Sequence, residues 1–299
     1  MNPLLTLLPA LLFATTATAQ RPTPTFEWQK RTTTIEYGAV PLGKHTLAEL
    51  PVGQAWRMGM NEASSWQLTM PVLAGESVLA PGTYRVQLQR SGESSCDLLA
   101  NGSGKALGGA DGKVGGKLGK AGKPAKKLDL AWAKGGAAVA GNQPAKLVLQ
   151  FGDVEWQGEV TIVGNKPVTV PGWKLAVFTL PAALLAARDK TAVPVAVLSR
   201  GKDKDQENWN LVVGKDDAKL VPWMTKPTQN NGFGEVAPPD EKLTTTGKVE
   251  SIESKATNEL ATAEPATATL VKGELVLELG FAKEAIRVSV PEPKGKGGK

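Results

Sequence analysis

The chain has 299 residues, with 35 lysine and arginine side chains against 29 aspartate and glutamate, which gives a formal net charge of +6. It contains one cysteine and one histidine, which excludes an intrachain disulfide and a zinc site built from histidine and cysteine ligands. No segment reaches the about 20 consecutive apolar residues that a transmembrane helix needs. We therefore expect no transmembrane segment, no bound metal and no cofactor.

The first 19 residues predict a secretory signal peptide. An apolar run from Leu4 to Ala14 is followed by Ala17-Thr18-Ala19, the small-residue pattern that signal peptidase cleaves. Cleavage after Ala19 leaves Gln20 as the first residue of a secreted or periplasmic mature protein. The alternative is an uncleaved membrane anchor, for which the apolar run is short.

Most apolar segments of the mature chain alternate with a period of two, as expected for antiparallel strands with one buried face. Turn residues separate these segments, and the only clear helix signal is Pro181–Arg188. The pattern predicts an all-β fold, an antiparallel β-sandwich with few short helices. The alternating segments are residues 84–89, 127–132, 146–151, 159–163, 208–213, 274–279 and 285–290.

Composition divides the mature chain further. We expect a β-rich domain over residues 20–164, a second β-rich unit or the remainder of one large sandwich over 165–290, and a disordered basic tail over 291–299. Residues 101–126 are dominated by glycine and lysine, which predicts a flexible loop. Residues 146–163 and 273–290 both resemble hairpins, which leaves open whether the two units are tandem copies of one ancestor.

Catalytic patterns are absent from the sequence. His45 is the only available imidazole base and lies in a polar turn context, and Cys96 lies in a predicted strand where burial would make it inert. Carboxylates are scattered, and Glu62 is the best placed for a carboxylate-based hydrolase. We assign no catalytic residue and no metal ligand.

Two compositional features suggest ligands. The eight tryptophans are either core residues or, where exposed, platforms on which sugar rings stack. The lysines of the Gly/Lys segment, seven between Lys105 and Lys127, are either a solvated spacer or a site for a polyanion. No aromatic residues are interleaved with them, so we expect no nucleic acid and favour an anionic envelope polymer.

Residues 35–84 contain the most distinctive motif, Trp56-Arg57-x-Gly59-x-Asn61-Glu62-Ala63. Together with Tyr37, Pro41, Gly43-Lys44, Leu50-Pro51-x-Gly53 and Pro81-Gly82-x-Tyr84, this stretch resembles an exported bacterial family catalogued as domain of unknown function 2911. Weaker similarity continues at residues 208–213 and 274–290. The resemblance implies an all-β exported domain and brings no established activity.

Within this motif, Arg57, Asn61 and Glu62 lie close together in the chain, with Lys44 and Tyr37 expected nearby. They form either a hydrogen-bonded brace in the core or a small pocket for a carboxylate or a sugar hydroxyl. The leading hypothesis is an exported non-enzymatic binding or structural module of the cell envelope, with a glycan as one candidate ligand. The alternatives are a carboxylate-based hydrolase and a polyanion binder that uses the Gly/Lys segment.

Overall fold

The structure is a computed structural model that describes residues 21–43, 46–59, 63–75, 77–101, 112–202, 206–223, 227–228, 235–236, 241–256 and 258–293. The chain forms two large antiparallel sheets and a two-stranded ribbon, so the prediction of an all-β fold is confirmed. The predicted signal peptide lies outside the described residues. In the part of the chain that is described, no helix is both long and apolar enough to cross a bilayer.

The first sheet contains ten strands. Their bounds are β1 Thr25–Trp28, β2 Arg31–Glu36, β3 Ala55–Trp56, β4 Ser65–Leu68, β5 Val72–Ala74, β6 Ser77–Leu79, β7 Gly82–Gly92, β8 Ser95–Asn101, β9 Gly112–Lys134 and β10 Gln143–Ile162. Their spatial order is β1-β2-β4-β7-β8-β9-β10-β5-β6, and β3 pairs with β7. A short 3-10 helix, Leu47–Glu49, precedes β3.

The two halves of this sheet pack face to face over one apolar core. The Trp132 ring of β9 lies 5.7 Å from Phe26 of β1 and 6.0 Å from Trp66 of β4. Trp66 is fully buried and donates its indole N–H to Thr33 Oγ1 at 2.6 Å. Aromatic side chains therefore fill the space between the halves, since each of them buries a large apolar area.

The second sheet contains nine strands. Their bounds are β11 Asn165–Val170, β12 Trp173–Phe178, β13 Val193–Arg200, β14 Glu207–Val213, β15 Asp217–Pro222, β18 Thr245–Ile252, β19 Leu260–Val271, β20 Glu274–Ala282 and β21 Glu284–Pro291, in the spatial order β11-β12-β13-β14-β15-β18-β21-β20-β19. The ribbon pairs β16 Pro227–Thr228 with β17 Glu235–Val236. Helix α1, Ala182–Ala186, follows β12, and a 3-10 turn, Glu241–Leu243, precedes β18.

The second sheet curls until its edge strands approach each other. Lys166 of β11 forms an ion pair with Glu264 of β19, and Ala263 donates its backbone N–H to Leu180 O at 2.8 Å. The apolar side chains inside form a cluster separate from that of the first sheet. Each sheet therefore encloses its own core.

The two units are joined at Gly164, between the end of β10 and the start of β11. The buried Asn142 side chain accepts the Gly164 N–H and the Thr179 hydroxyl, each at 2.9 Å, and donates to Thr179 O at 2.9 Å. Leu73 and Val78 of the first unit pack against the core of the second. These contacts fasten the units to each other through a satisfied buried polar group.

The expected flexible loop over residues 101–126 is wrong at Asn101, which ends β8, and from residue 112 onward, while residues 102–111 lie outside the described residues. Residues 112–126 belong to β9, which pairs with β8 on one side and β10 on the other. Glycine is needed here because the Trp156 ring of β10 lies against Gly116, where a Cβ would overlap the indole and the Gln157 carbonyl. Trp156 is fully buried and donates its N–H to Cys96 O at 2.9 Å, so glycines make room for a core residue.

The expected hairpin over residues 146–163 is also wrong. Residues 143–162 form the single strand β10, which bends at Gly152 (φ +69°) and keeps β9 as its partner on both sides of the bend. Residues 273–290 do contain a hairpin, β20–β21. The two segments therefore differ in structure, and the argument for duplication loses its basis. Pro291, placed at the start of a disordered tail, is the last residue of β21.

Gly116→Ala should destabilise the protein by about 1–3 kcal/mol, because the added methyl group overpacks the Trp156 site. Gly119→Ala, in the same strand with no atom within 4 Å of the added Cβ, is the matched control and should be neutral or stabilising by up to about 1 kcal/mol. Urea unfolding of both variants measures the difference. Equal effects would show that Trp156 does not pack on β9 as described.

Candidate functional site

A cavity of about 380 Å³ opens on the first unit, within the size range of small-ligand pockets. Four pieces of chain surround it: the segment 40–43, the loop 46–54, strand β3 and the bend of β10. Most of its lining is apolar. The lining residues are Val40, Pro41, Gly43, Thr46, Leu47, Glu49, Leu50, Pro51, Gln54, Trp56 and Phe151.

Two aromatic rings form the floor of the cavity. The Trp56 and Phe151 ring centroids lie 5.7 Å apart with the planes tilted by 30°. Trp56 is positioned by the pairing of β3 with Leu88 of β7. Phe151 directly precedes Gly152, where β10 bends. The floor thus combines a ring from the distinctive sequence motif with a ring nearly one hundred residues later in the chain.

The segment 40–43 forms one wall and is held by β9. Leu42 donates its backbone N–H to Lys126 O at 2.8 Å, and the Leu128 N–H donates to Val40 O at 2.7 Å. This short antiparallel bridge aligns Pro41 with Lys127. A Cβ at Gly152 would lie 3.2 Å from Leu42, so the wall also packs on the bend of β10.

The loop 46–54 forms the opposite wall and is clamped by Arg90 of β7. The guanidinium donates to Leu47 O and Ala48 O, both at 3.1 Å, to Gly92 O at 2.5 Å and to Glu93 O. Arg90 is only 8 % exposed. Its backbone also pairs with Gly53 and Gln54. A buried cation whose three nitrogens each donate to a carbonyl oxygen holds a short loop rigid.

Polar and apolar side chains share the rim. Thr46, at the start of the 3-10 helix, makes no capping hydrogen bond with its hydroxyl. Glu49 and Gln54 add a carboxylate and an amide. Leu42 and Val52, each next in the chain to a lining residue, are 40 % and 64 % exposed. The rim therefore offers hydrogen-bonding groups next to apolar surface.

The structure places Tyr37 in the core and away from this cavity. Its hydroxyl accepts the Leu130 N–H at 3.0 Å and lies 3.4 Å from Asp129 Oδ1. Burial raises the pKa of Tyr37 to about 12; the Leu130 hydrogen bond opposes this shift and the charge of Asp129 adds to it. Tyr37 thus braces β9 against the segment that follows β2.

The other predicted site residues divide into two groups. Arg57 directly follows Trp56 and has its own polar contacts, but it is not among the described residues that line the cavity. Lys44, Asn61 and Glu62 lie outside the described residues, as does His45. The hydrolase hypothesis rests on Glu62 and stays a prediction. Among described residues, no group of three or more His, Cys, Asp or Glu side chains is placed to hold a metal.

Sequence reasoning missed Phe151 and Arg90. The alternation over residues 146–151 predicts only a strand at Phe151, although the glycine after it is a signal for a bulge or bend. Arg90 follows the alternating segment 84–89, and nothing local shows that its donors turn toward carbonyl groups of residues 47 and 48.

Arg90→Ala should destabilise the protein by about 3 kcal/mol, because several buried carbonyl oxygens lose a charged donor. Arg287→Ala is the control: this exposed arginine pairs with Glu278 at 2.7 Å, a pair worth less than about 1 kcal/mol. Urea denaturation compares the two. If Arg90→Ala lowers the free energy of unfolding by no more than Arg287→Ala does, the role of Arg90 in holding the loop 46–54 is contradicted.

Tyr37 should make stability fall at high pH. Its pKa is about 12 in the folded protein against an ordinary value of 10.0. Between these pH values the Tyr37 hydroxyl loses its proton more readily in the unfolded chain than in the folded protein. The contribution of Tyr37 to the free energy of unfolding is therefore complete below pH 10.0 and is lost as the pH rises toward 12. The difference in unfolding free energy between wild type and Tyr37→Phe should shrink across this range. A constant difference would contradict the raised pKa.

Comparisons with protein-family models, with curated proteins and with solved structures find no match to this chain. The resemblance of residues 35–84 to the exported bacterial family therefore stays a prediction that rests on the motif residues alone. Within that stretch, the structure brings Trp56, Pro41, Gly43, Leu50 and Pro51 to the lining of one cavity.

Proposed function

We propose that the mature chain is an exported, non-enzymatic binding module of the cell envelope, and that the cavity floored by Trp56 and Phe151 binds a glycan. The single observation that carries the proposal is this pair of rings at the base of an open cavity.

Pyranose rings present faces of C–H groups, and these faces stack on aromatic side chains. The floor offers such a surface, because Trp56 is only partly buried while Phe151 supports it from the side. Sugar hydroxyls also need hydrogen-bonding partners, and Thr46, Glu49 and Gln54 supply a hydroxyl, a carboxylate and an amide at the rim. A mixture of apolar floor and few polar groups is the usual composition of a small-ligand site.

The walls also favour binding because they are held in place before a ligand arrives. Arg90 ties down the loop 46–54, and β9 ties down the segment 40–43. A preformed site avoids much of the entropy loss that ordering loops around a ligand would cost.

Export is part of the proposal and rests on the sequence. The apolar run and the Ala17-Thr18-Ala19 pattern support a signal peptide. A cell-envelope location brings the protein into contact with polysaccharides, which fits a cavity that stacks sugar rings.

Trp56→Ala should weaken glycan binding by at least about tenfold, which corresponds to about 1.4 kcal/mol. The change removes the ring that forms most of the exposed floor. Binding of the purified protein to a glycan array, followed by calorimetry on the best ligand, measures the effect. Trp56→Phe keeps a ring at the position and should retain part of the affinity.

Val139→Ala serves as the remote control, because Val139 is 68 % exposed and lies in the β9–β10 turn. Circular dichroism checks that each variant is folded. Glycan binding that survives Trp56→Ala in a folded protein would overturn the proposed site. Hydrolysis of the bound glycan would overturn the non-enzymatic assignment.

A further inference from the structure

Two lysines of β9 lie in the backbone segment that pairs with one wall of the cavity. Lys126 accepts the backbone hydrogen bond of Leu42, and Lys127 is aligned with Pro41, which lines the cavity. Directly opposed residues in antiparallel strands project to the same face, so the Lys127 side chain and the Pro41 ring share a face. The cavity wall and this basic strand are therefore one continuous structure.

Between residues 117 and 127, five lysines of β9 are exposed and form no ion pair within the part of the chain that is described. This sets them apart from Lys113, whose ammonium lies 3.1 Å from Asp97. An ammonium group that forms no ion pair within the protein can bind an external anion without first breaking such a pair. The five are Lys117, Lys120, Lys123, Lys126 and Lys127.

The pairing of β9 with β10 is irregular in the stretch of β9 that contains Lys120, Lys123 and Lys126. Lys120 pairs with Val154 and Ala125 pairs with Gly152, so residues 121–124 of β9 face the single residue Asp153. The extra residues form a bulge, and exposed Lys123 lies within it, between Lys120 and Lys126. A bulge of this kind redirects side chains next to a functional site.

The acidic side chains nearby do not cancel this charge. Asp153 is exposed beside the bulge, Asp129 of β9 accepts from the Tyr37 hydroxyl at 3.4 Å, and Glu155 is engaged by the amides of Gln150 and Gln157, so the lysines outnumber these carboxylates. Glu49 lines the cavity from the loop 46–54, not from β9. The β9 side of the cavity is therefore net positive.

We propose that the ligand of the Trp56–Phe151 cavity is an acidic glycan, a polysaccharide that carries carboxylate or sulfate groups. This inference rests on the proposed function. One sugar ring stacks on the floor, and the chain continues along β9, where Lys126, Lys127 and Lys123 meet its anionic groups. Exposed lysines recur along β9 from Lys117 to Lys127, and this linear distribution along an extended strand fits a linear polymer.

The test uses pairs of oligosaccharides that differ in charge: oligogalacturonate with its methyl ester, and sulfated with unsulfated cello-oligosaccharide. Acidic members should bind more tightly, and their affinity should fall with added salt. The double variant Lys126→Gln/Lys127→Gln should lose about tenfold in affinity for acidic members and flatten the salt dependence. The matched control is Lys174→Gln/Lys248→Gln, two exposed lysines of the second sheet.

The outcomes separate the two proposals. Equal binding of acidic and neutral members, abolished by Trp56→Ala and unchanged in the lysine variant, would overturn the acidic glycan and leave the glycan site standing. Absence of binding to every oligosaccharide would overturn both. Lysine-dependent binding to anionic phospholipid vesicles, with no binding to the acidic oligosaccharides, would overturn the glycan in favour of a membrane surface.

Discussion

Strands β9 and β10, of 23 and 20 residues, pair with each other along most of their lengths. Their pairing turns a glycine- and lysine-rich segment into the middle of a sheet. Glycine normally weakens a strand through its backbone entropy, but here its missing side chain admits Trp156. The buried indole and its bond to Cys96 O offset that cost, because a large aromatic group leaves water. Burial also raises the pKa of the Cys96 thiol, which keeps it protonated and unreactive.

The same ladder generates the candidate site at the point where its register breaks. Gly152 bends β10 and aims Phe151 at the cavity, while the bulge at residues 121–124 leads into the stretch of β9 that holds the segment 40–43. The ring of Trp56 and the clamp by Arg90 complete the floor and the second wall. A cavity of this kind depends on pairing between residues far apart in the chain, so a defect in β9 would alter the candidate site as well as the core.

The second unit is tied to the first by the turn that joins β9 to β10. Asn142 lies in that turn, and its side chain satisfies Gly164 and Thr179 at once. A second link joins Asn210 of β14 to Pro81 O at 2.8 Å. Within the second unit, Arg200 lies over the Trp173 ring at 4.7 Å and beside Glu207 at 3.0 Å. This cation–π contact covers the end of that core, so the tryptophans here are structural.

The sequence by itself determined the strands and the all-β class. Segments such as 84–89, 208–213 and 285–290 alternate with period two, and each lies within a strand of the structure; the alternation follows from burying one face of a pleated strand, which is a local property. The sequence also contains the distinctive motif that begins at Trp56, one of the two rings in the candidate site. Composition predicted a flexible loop at residues 112–126, and this prediction is wrong because pairing with β8 and β10 orders a glycine- and lysine-rich segment that would not be ordered by itself.

Only the tertiary structure decided where the site is. Phe151 reaches Trp56 because two distant strands are brought together, and Arg90 reaches Leu47 O because β7 passes beneath a loop. Tyr37 belongs to the predicted motif, yet its hydroxyl is used by Leu130 in the core. Periodicity shows which face of a strand is buried, but it does not show what lies opposite that face. That information comes from long-range pairing, which no single segment encodes.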